Sequence, residues 1–411
     1  MRRTTLGSVA AAGLLLGGLA VAPTSAQAVN TSAEAGVIPG SYIVVLADSA
    51  SPRAVAAEHA RTQGATVDHL YQYSIKGYAA HMSATAAARV ARDSRVVSVV
   101  PDREMSIDAQ TLPTGINRID GELSSTVSGN GSGAVDVDVA VIDTGVDLDH
   151  PDLNVVGGTN CSTGRSYDDG NGHGTHVAGT IGAKDDANGV VGVAPGARIW
   201  AVRVLNNQGS GSWSSIICGV DWVTARAGTI EVANMSLGGS GSEPAGSGCS
   251  TGVALHDAIC RSVGAGVTYA VAAGNSAVDA KGAVPAAYDE VITVSALADF
   301  DGQPGGLGAA TCRSDVDDTF ANFSNYGADV DIIAPGVCIN STWKGGGYNT
   351  ISGTSMASPH VAGAAALYKS THPTASPSAV QTALVNAGNL NWNNVDDKDK
   401  IKEPLLNVAG F

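Results

Sequence analysis

Val137-Asp138-Val139-Ala140-Val141-Ile142-Asp143-Thr144-Gly145 is the stretch that sets the architecture. A short run rich in Val, Ile and Ala, closed by a Thr-Gly turn, predicts a strand buried on both faces. Runs of the same character recur at 198–205, 230–235, 267–272 and 291–295, with helical stretches such as 213–227 and 252–263 between them. That alternation predicts an α/β fold: a doubly wound parallel sheet with helices on both faces. Such sheets place their sites at the carboxyl ends of the strands. Asp143 stands at one of those ends.

Outward from this unit, the chain is expected to divide into three parts. Residues 1–28 read as a secretory signal peptide, with Arg2 and Arg3, an apolar run over 9–22, and Ala26-Gln27-Ala28 for cleavage. Residues 29–108 read as strand 41–46, helix 52–64, a strand pair around 71–78, an Ala-rich helix at 83–91 and strand 96–100. The order βαββαβ predicts a small α+β, ferredoxin-like domain. Its place between a signal and a larger unit suggests a propeptide. Residues 109–411 form the large unit. No later apolar run approaches the roughly 18 residues needed to span a bilayer. A secreted, soluble monomer is expected, away from membranes.

The formal charge of −15 argues against nucleic acid as a partner, which calls for basic patches. From residue 109 onward there are 14 Lys/Arg and 30 Asp/Glu, so 14 − 30 = −16 and the acidity belongs to the large unit. Acidic loops of this kind keep a protein soluble or hold hard cations. All six cysteines also lie there, from Cys161 onward, and suit an oxidising compartment. Six allow 15 pairings; the sequential set Cys161–Cys218, Cys249–Cys260 and Cys312–Cys338 is the one expected.

The chemistry centres on Gly353-Thr354-Ser355-Met356-Ala357-Ser358-Pro359-His360-Val361-Ala362-Gly363, a turn running into a small-residue helix. Ser355 then sits at a helix N-terminus, among free backbone N–H groups and the positive end of the dipole. A serine so placed is a nucleophile or a plain helix cap, and a base and an orienting acid decide which. His173, in Gly172-His173-Gly174-Thr175-His176, is a base flanked by glycines; Asp143 is the acid. His176 is read as structural, because no Glu occupies the position that a zinc-protease helix requires. The chain order Asp143, His173, Ser355 is neither that of chymotrypsin nor that of the α/β-hydrolases; the order left is that of subtilisin.

These three segments resemble the three signatures of the subtilase family, of the subtilisin and proteinase K type. Residues 29–108 resemble its inhibitor-type propeptide. The resemblance implies a secreted serine endopeptidase acting on polypeptides and made as a self-processing zymogen, with its own propeptide as intramolecular inhibitor. It also implies that Asn275 completes an oxyanion hole with the Ser355 N–H. Gly209-Ser210-Gly211-Ser212-Trp213 and Ser236-Leu237-Gly238-Gly239 resemble the Gly-rich strands that flank a bound peptide, with Trp213 lining an outer pocket. Ala272-Ala273-Gly274 would form the wall of the pocket beside the scissile bond. A structural Ca²⁺ site is implied at Gln110, Asp152 and Asp186, with the carbonyls of Lys184, Asn188 and Val190. A weaker one would use Asp331 with the carbonyls of Asp289 and Val291. The mature chain would begin near Asp108-Ala109-Gln110, and Gln110 would reach the calcium loop only after that bond is cut. The reading from another functional class is an inactive subtilase-fold binding or inhibitor protein, and the intact Asp143, His173, Ser355 and Asn275 speak against it.

Overall fold

A computed structural model describes residues 37–103, 110–245 and 248–411. Residues 1–28, where a signal peptide is expected, and residues 104–109, where the processing bond is expected, lie outside the described residues. The chain separates into two units, Met1–Ile107 and Asp108–Phe411.

In the first unit the elements run β1 (Val37–Leu46), α1 (Pro52–Gln63), β2 (Thr66–Tyr71), β3 (Gly77–His81), α2 (Ala84–Val90) and β4 (Val96–Arg103). The sheet order β2-β3-β1-β4, with every described pairing antiparallel, is that of a ferredoxin-like domain. Its core is small: Val44, Leu46, Val55, Tyr78 and Val90 are among the residues that fill it.

The second unit opens with α3 (Thr114–Arg118), β5 (Asp138–Asp143), β6 (Val155–Asn160), α4 (His173–Gly182), β7 (Arg198–Arg203), α5 (Trp213–Thr224), β8 (Val232–Met235) and β9 (Gly239–Ser240). It continues with α6 (Ala254–Gly264), β10 (Thr268–Ala272), β11 (Ala283–Val284), β12 (Ile292–Ala298), β13 (Thr319–Phe320) and β14 (Ile332–Pro335). It closes with β15 (Ile339–Trp343), β16 (Gly347–Ile351), α7 (Thr354–Thr371) and α8 (Pro377–Ala387). The main sheet runs β6-β7-β5-β8-β10-β12-β14, all parallel, with β13 antiparallel on β12.

The period of two along a strand builds a core on each face. Val139 and Val141 of β5 enter the core shared with α4 and α7, while Ala140 and Ile142 enter the one shared with α5 and α6. Each fully buried Val or Ile adds about 1.5–3 kcal/mol. Helix α7 has 14 of its 18 residues buried, so it is an interior helix. Its small side chains let it lie close: a Cβ on Gly363 would stand 2.6 Å from the Val193 Cβ. The three disulfides are Cys161–Cys218, Cys249–Cys260 and Cys312–Cys338, the sequential set.

Candidate active site

Asp143 is the last residue of β5 and is fully buried. Its Oδ1 accepts the His173 Nδ1–H at 2.7 Å and the Thr144 amide at 2.7 Å. His173 is the first residue of α4. Gly172 before it has φ 114°, and a side chain there would collide with the Trp343 ring, so glycine is required twice over. Asp169 fixes how the two segments meet. Its carboxylate accepts the Thr144 hydroxyl, the amides of Asn171, Gly172 and Thr175, and the Thr175 hydroxyl, at 2.6–3.0 Å. Thr144 in turn accepts the Gly174 amide at 3.0 Å. Sequence reasoning passed over Asp169, although a carboxylate four residues ahead of a helix start is a capping signal.

Burial pushes the His173 imidazolium down, but the charge and hydrogen bond of Asp143 push it up, and the net result lies above the ordinary histidine value. His176 is structural as expected. It is fully buried, its Nε2 faces the carbonyls of Ile339 and Asn349 at 3.0 and 3.1 Å, and burial lowers its pKa to about 3.

Ser355 is the second residue of α7. Pro359, four residues on, has no N–H to give the Ser355 carbonyl. The Ser236 hydroxyl donates to that carbonyl instead, at 2.7 Å. Ser236 accepts from Asn234 Nδ2 at 2.9 Å, and Asn234 Oδ1 accepts the Ser358 hydroxyl at 2.7 Å. A buried ring of bonds thus clamps the first turn of α7 to the end of β8. The Ser355 hydroxyl donates to the Ser236 carbonyl at 3.4 Å, and among the described residues it makes no hydrogen bond to His173. Such links are commonly long in an empty site and shorten when substrate arrives.

Asn275 follows β10. Its Oδ1 accepts both the amide and the hydroxyl of Thr354, at 2.8 and 3.0 Å, and the Thr354 hydroxyl accepts the Gly274 amide at 3.1 Å. With the oxygen so occupied, the Nδ2 end is left to face the site. A Cβ on Gly353 would lie 3.6 Å from Asn275 Nδ2 and 3.6 Å from the Ser355 nitrogen, so two donors border one small space. Two preorganised donors beside a serine hydroxyl suit a developing oxyanion. Asn325 holds this turn through the Ala273 carbonyl and the amides of Ser276 and Val278, at 2.8–3.2 Å.

Two adjoining cavities share Leu237, Gly238, Gly239 and Val284. One, of about 590 Å³, is lined by His173, Gly209, Ser210, Gly211, Trp213 and Ser236 among others. The other, of about 370 Å³, holds Ala272, Ala273, Gly274, Asn275 and Ser355. The expected strands at Gly209–Trp213 and Ser236–Gly239 are present only at one residue: Gly239 pairs with Val284 in β9, while Trp213 opens α5. The first begins as a turn closed by the Asn206 amide on the Ser210 carbonyl, and the second leaves β8 with Ser236 buried and Leu237 half-buried and emerges at Gly238. A segment becomes a strand only by pairing, and residues of both segments line the cavities.

Residues 135–402 match the description "Subtilase family", and residues 41–108 match "Peptidase inhibitor I9". The chain belongs to the subtilase family. Subtilisin DY of Bacillus licheniformis is 41% identical over 304 residues, covering 73% of this chain and 98% of that protein. An extracellular serine proteinase of Thermus sp. (strain Rt41A) is 39% identical over 383 residues, covering 85% and 84%. The crystal structure of a cold-adapted subtilisin-like serine proteinase matches with a TM-score of 0.58 at 37% identity, covering 72% and 97%. The protein is therefore a subtilisin-like serine endopeptidase with an inhibitor-type propeptide domain.

In this subtilase the first expected calcium site is brought together in part. Gln110 donates through Nε2 to the carbonyls of Lys184 and Val190, at 2.8 and 3.3 Å. Asp152 Oδ2 accepts the Val190 amide and the Tyr348 hydroxyl, at 3.1 and 3.2 Å. Gln110 Oε1 and Asp152 Oδ1 are buried with no hydrogen-bond partner, and burial raises the Asp152 pKa to about 6. Buried, unpartnered oxygens beside inward carbonyls fit a hard cation. Asp186 and Asn188 stay exposed on the rim, bonded to each other. The uncut chain already places Gln110 on this loop, so the expectation that it arrives only after cleavage does not hold. At the second site, both oxygens of Asp331 are taken, by the Thr293 amide and by Gln381, at 2.8 and 2.9 Å. Burial raises the Asp331 pKa to about 6, as it does that of Asp152.

Proposed function

We propose that the enzyme hydrolyses peptide bonds through an acyl-enzyme on Ser355. His173 Nε2 takes the Ser355 proton as Oγ attacks the scissile carbonyl. The Asp143 carboxylate, bonded to Nδ1–H, keeps the ring in the tautomer with a free Nε2 lone pair and stabilises the imidazolium that forms. The carbonyl oxygen, now an anion, is received by the Ser355 N–H and Asn275 Nδ2. His173 then returns the proton to the leaving amine, and a water activated by the same imidazole releases the acid.

The substrate lies extended between Gly209–Gly211 and Ser236–Gly238, whose backbones take the positions of flanking strands. Its side chain next to the scissile bond enters the cavity walled by Ala272, Ala273 and Gly274. Trp213, 45% exposed, borders an outer apolar pocket. The observation that carries this reading is the 2.7 Å Asp143–His173 bond, together with the two donors bordering one space beside Ser355. A chromogenic-peptide assay on purified Ser355→Ala tests it: loss of turnover with an unchanged melting temperature is expected, and retained turnover refutes the assignment.

The zymogen reading extends from the same site. The match of residues 41–108 to Peptidase inhibitor I9 supports an inhibitor carried in the same chain. The cut falls near Asp108-Ala109-Gln110, and the product is secreted. In support of secretion, a relative is named extracellular, and no helix among the described residues is long and apolar enough to cross a membrane. Calcium would be held by Asp152, Gln110 and the Lys184 and Val190 carbonyls, and would supply structural charge balance there.

A further inference from the structure

Away from the catalytic constellation, a buried histidine stands between two glutamates. His256, on α6, is 1% exposed. Its Nε2 lies 3.3 Å from Glu290 Oε2 and 3.5 Å from Glu243 Oε1. Neither approach is a hydrogen bond: His256 Nε2, Glu243 Oε2 and Glu290 Oε2 are all buried without a hydrogen-bond partner. One ligand atom from each of the three side chains lies within 4.8 Å of the others. The Tyr288 hydroxyl is also buried without a partner, and its ring meets His256 edge-on at 5.0 Å. No lysine or arginine pairs with either glutamate among the described residues. The other face of the imidazole is anchored, with Nδ1 at 3.3 Å from the Thr251 hydroxyl and 3.4 Å from Asp257 Oδ1.

Orphaned buried donors and acceptors are costly, and so are two carboxylates that share a site without a cation. Burial and the neighbouring Glu290 and Asp289 charges hold the Glu243 pKa above its usual range, although His256 opposes them. We infer that Glu243, His256 and Glu290 form a binding site for one divalent cation of the zinc class.

The distances favour an ion over a simple ion pair. A charge-assisted N–H···O bond would draw nitrogen and oxygen to about 2.7–2.9 Å. A tetrahedral ion with bonds of about 2.0–2.1 Å holds its ligand atoms about 3.3–3.4 Å apart, close to the 3.3 and 3.5 Å found. The imidazole selects a borderline ion over calcium, which prefers oxygen alone. Asp257 and Thr251 on Nδ1 supply the outer support that orients a metal-bound histidine. The glutamate side chains, 34% and 24% exposed, leave access for water to complete the shell. The ion would also brace the cleft. Glu243 follows β9 and Glu290 follows β11, and these two strands pair as the ribbon that contributes Gly239 and Val284 to both cavities. The Cys249–Cys260 disulfide ties the loop between β9 and α6 to that helix.

The test uses the full chain carrying Ser355→Ala to prevent self-digestion, stripped with chelator and resupplied with excess calcium so that oxygen-only sites are filled. Calorimetric titration with zinc is expected to show one equivalent bound, with a rise in melting temperature. Cobalt in its place should give visible d–d bands. Glu243→Gln and Glu290→Gln should each weaken zinc binding by about tenfold or more and abolish the bands. Without zinc, both variants should melt above the parent, because one of two facing carboxylates is gone, and their melting curves also report that they are folded. No zinc binding by the parent, or equal binding by parent and both variants, overturns the assignment.

Discussion

Thr354→Val is the most informative single substitution in the site. Valine has nearly the shape of threonine, and Thr354 is fully buried, so the change removes a hydroxyl and little else. The hydroxyl makes two bonds: it donates to Asn275 Oδ1 at 3.0 Å and accepts the Gly274 amide at 3.1 Å. Loss of the second leaves a backbone N–H unpaired, which costs about 1–3 kcal/mol of stability. Loss of the first leaves Asn275 held by the Thr354 amide alone, at 2.8 Å. Deleting the corresponding donor outright in a subtilisin lowers kcat by about 10²–10³, or about 2.7–4 kcal/mol. One of two comparable tethers survives here, so about half of that range applies. A fall in kcat of about ten- to thirtyfold is expected, with KM nearly unchanged, because the donor acts on the oxyanion and not on the bound carbonyl. Steady-state kinetics on a chromogenic peptide, with melting curves alongside, measure both effects. Wild-type kcat in a variant that is measurably destabilised would refute the tether argument.

Three further outcomes follow from the same geometry. Activity requires neutral His173, so kcat/KM should rise with pH through a pKa above the ordinary histidine value; Asp143→Asn should move that limb to lower pH while cutting kcat sharply, and an unmoved limb would remove Asp143 from its role. Calcium at 100 times its dissociation constant should stabilise the mature enzyme by about 2.7 kcal/mol. Asp152→Asn, which keeps an acceptor for Val190 and Tyr348, should abolish that increment, and a chelator-insensitive melting temperature in the parent would exclude the site. Expressed alone, the wild-type chain should yield a new N-terminus near Ala109 or Gln110 while Ser355→Ala stays uncut; maturation of Ser355→Ala at the same bond would mean that another protease makes the cut.

What the sequence revealed was mostly local. Asp143, His173 and Ser355 sit where a strand ends or a helix begins, and short motifs encode such positions. The continuous Val, Ile and Ala run of β5 likewise announced burial on both faces. What stayed hidden depends on partners far along the chain. The Asn234–Ser358 bond joins residues 124 apart, and Asn325 holds a turn about 50 residues before it. Neither asparagine belongs to a pattern of its own. Gln381 likewise bonds Asp331 from 50 residues away, a partner that no local pattern announces. The family resemblance predicts strands at the glycine-rich segments around Gly209 and Gly238, but a glycine-rich segment does not say whether its pairing partner lies within the chain. Glu243, His256 and Glu290 come from three separate segments and share no motif, so only the fold assembles them.

The central claim is that Ser355 is the nucleophile and that His173 and Asp143 make it one. Covalent labelling reads this most directly: the purified wild type is treated with an organophosphorus fluoride, and the adduct is located by intact-mass and peptide mass spectrometry. A single phosphoryl group on Ser355 is predicted, absent from Ser355→Ala and formed far more slowly in His173→Ala. A label at another serine, or equal labelling of Ser355 in His173→Ala, would contradict the account.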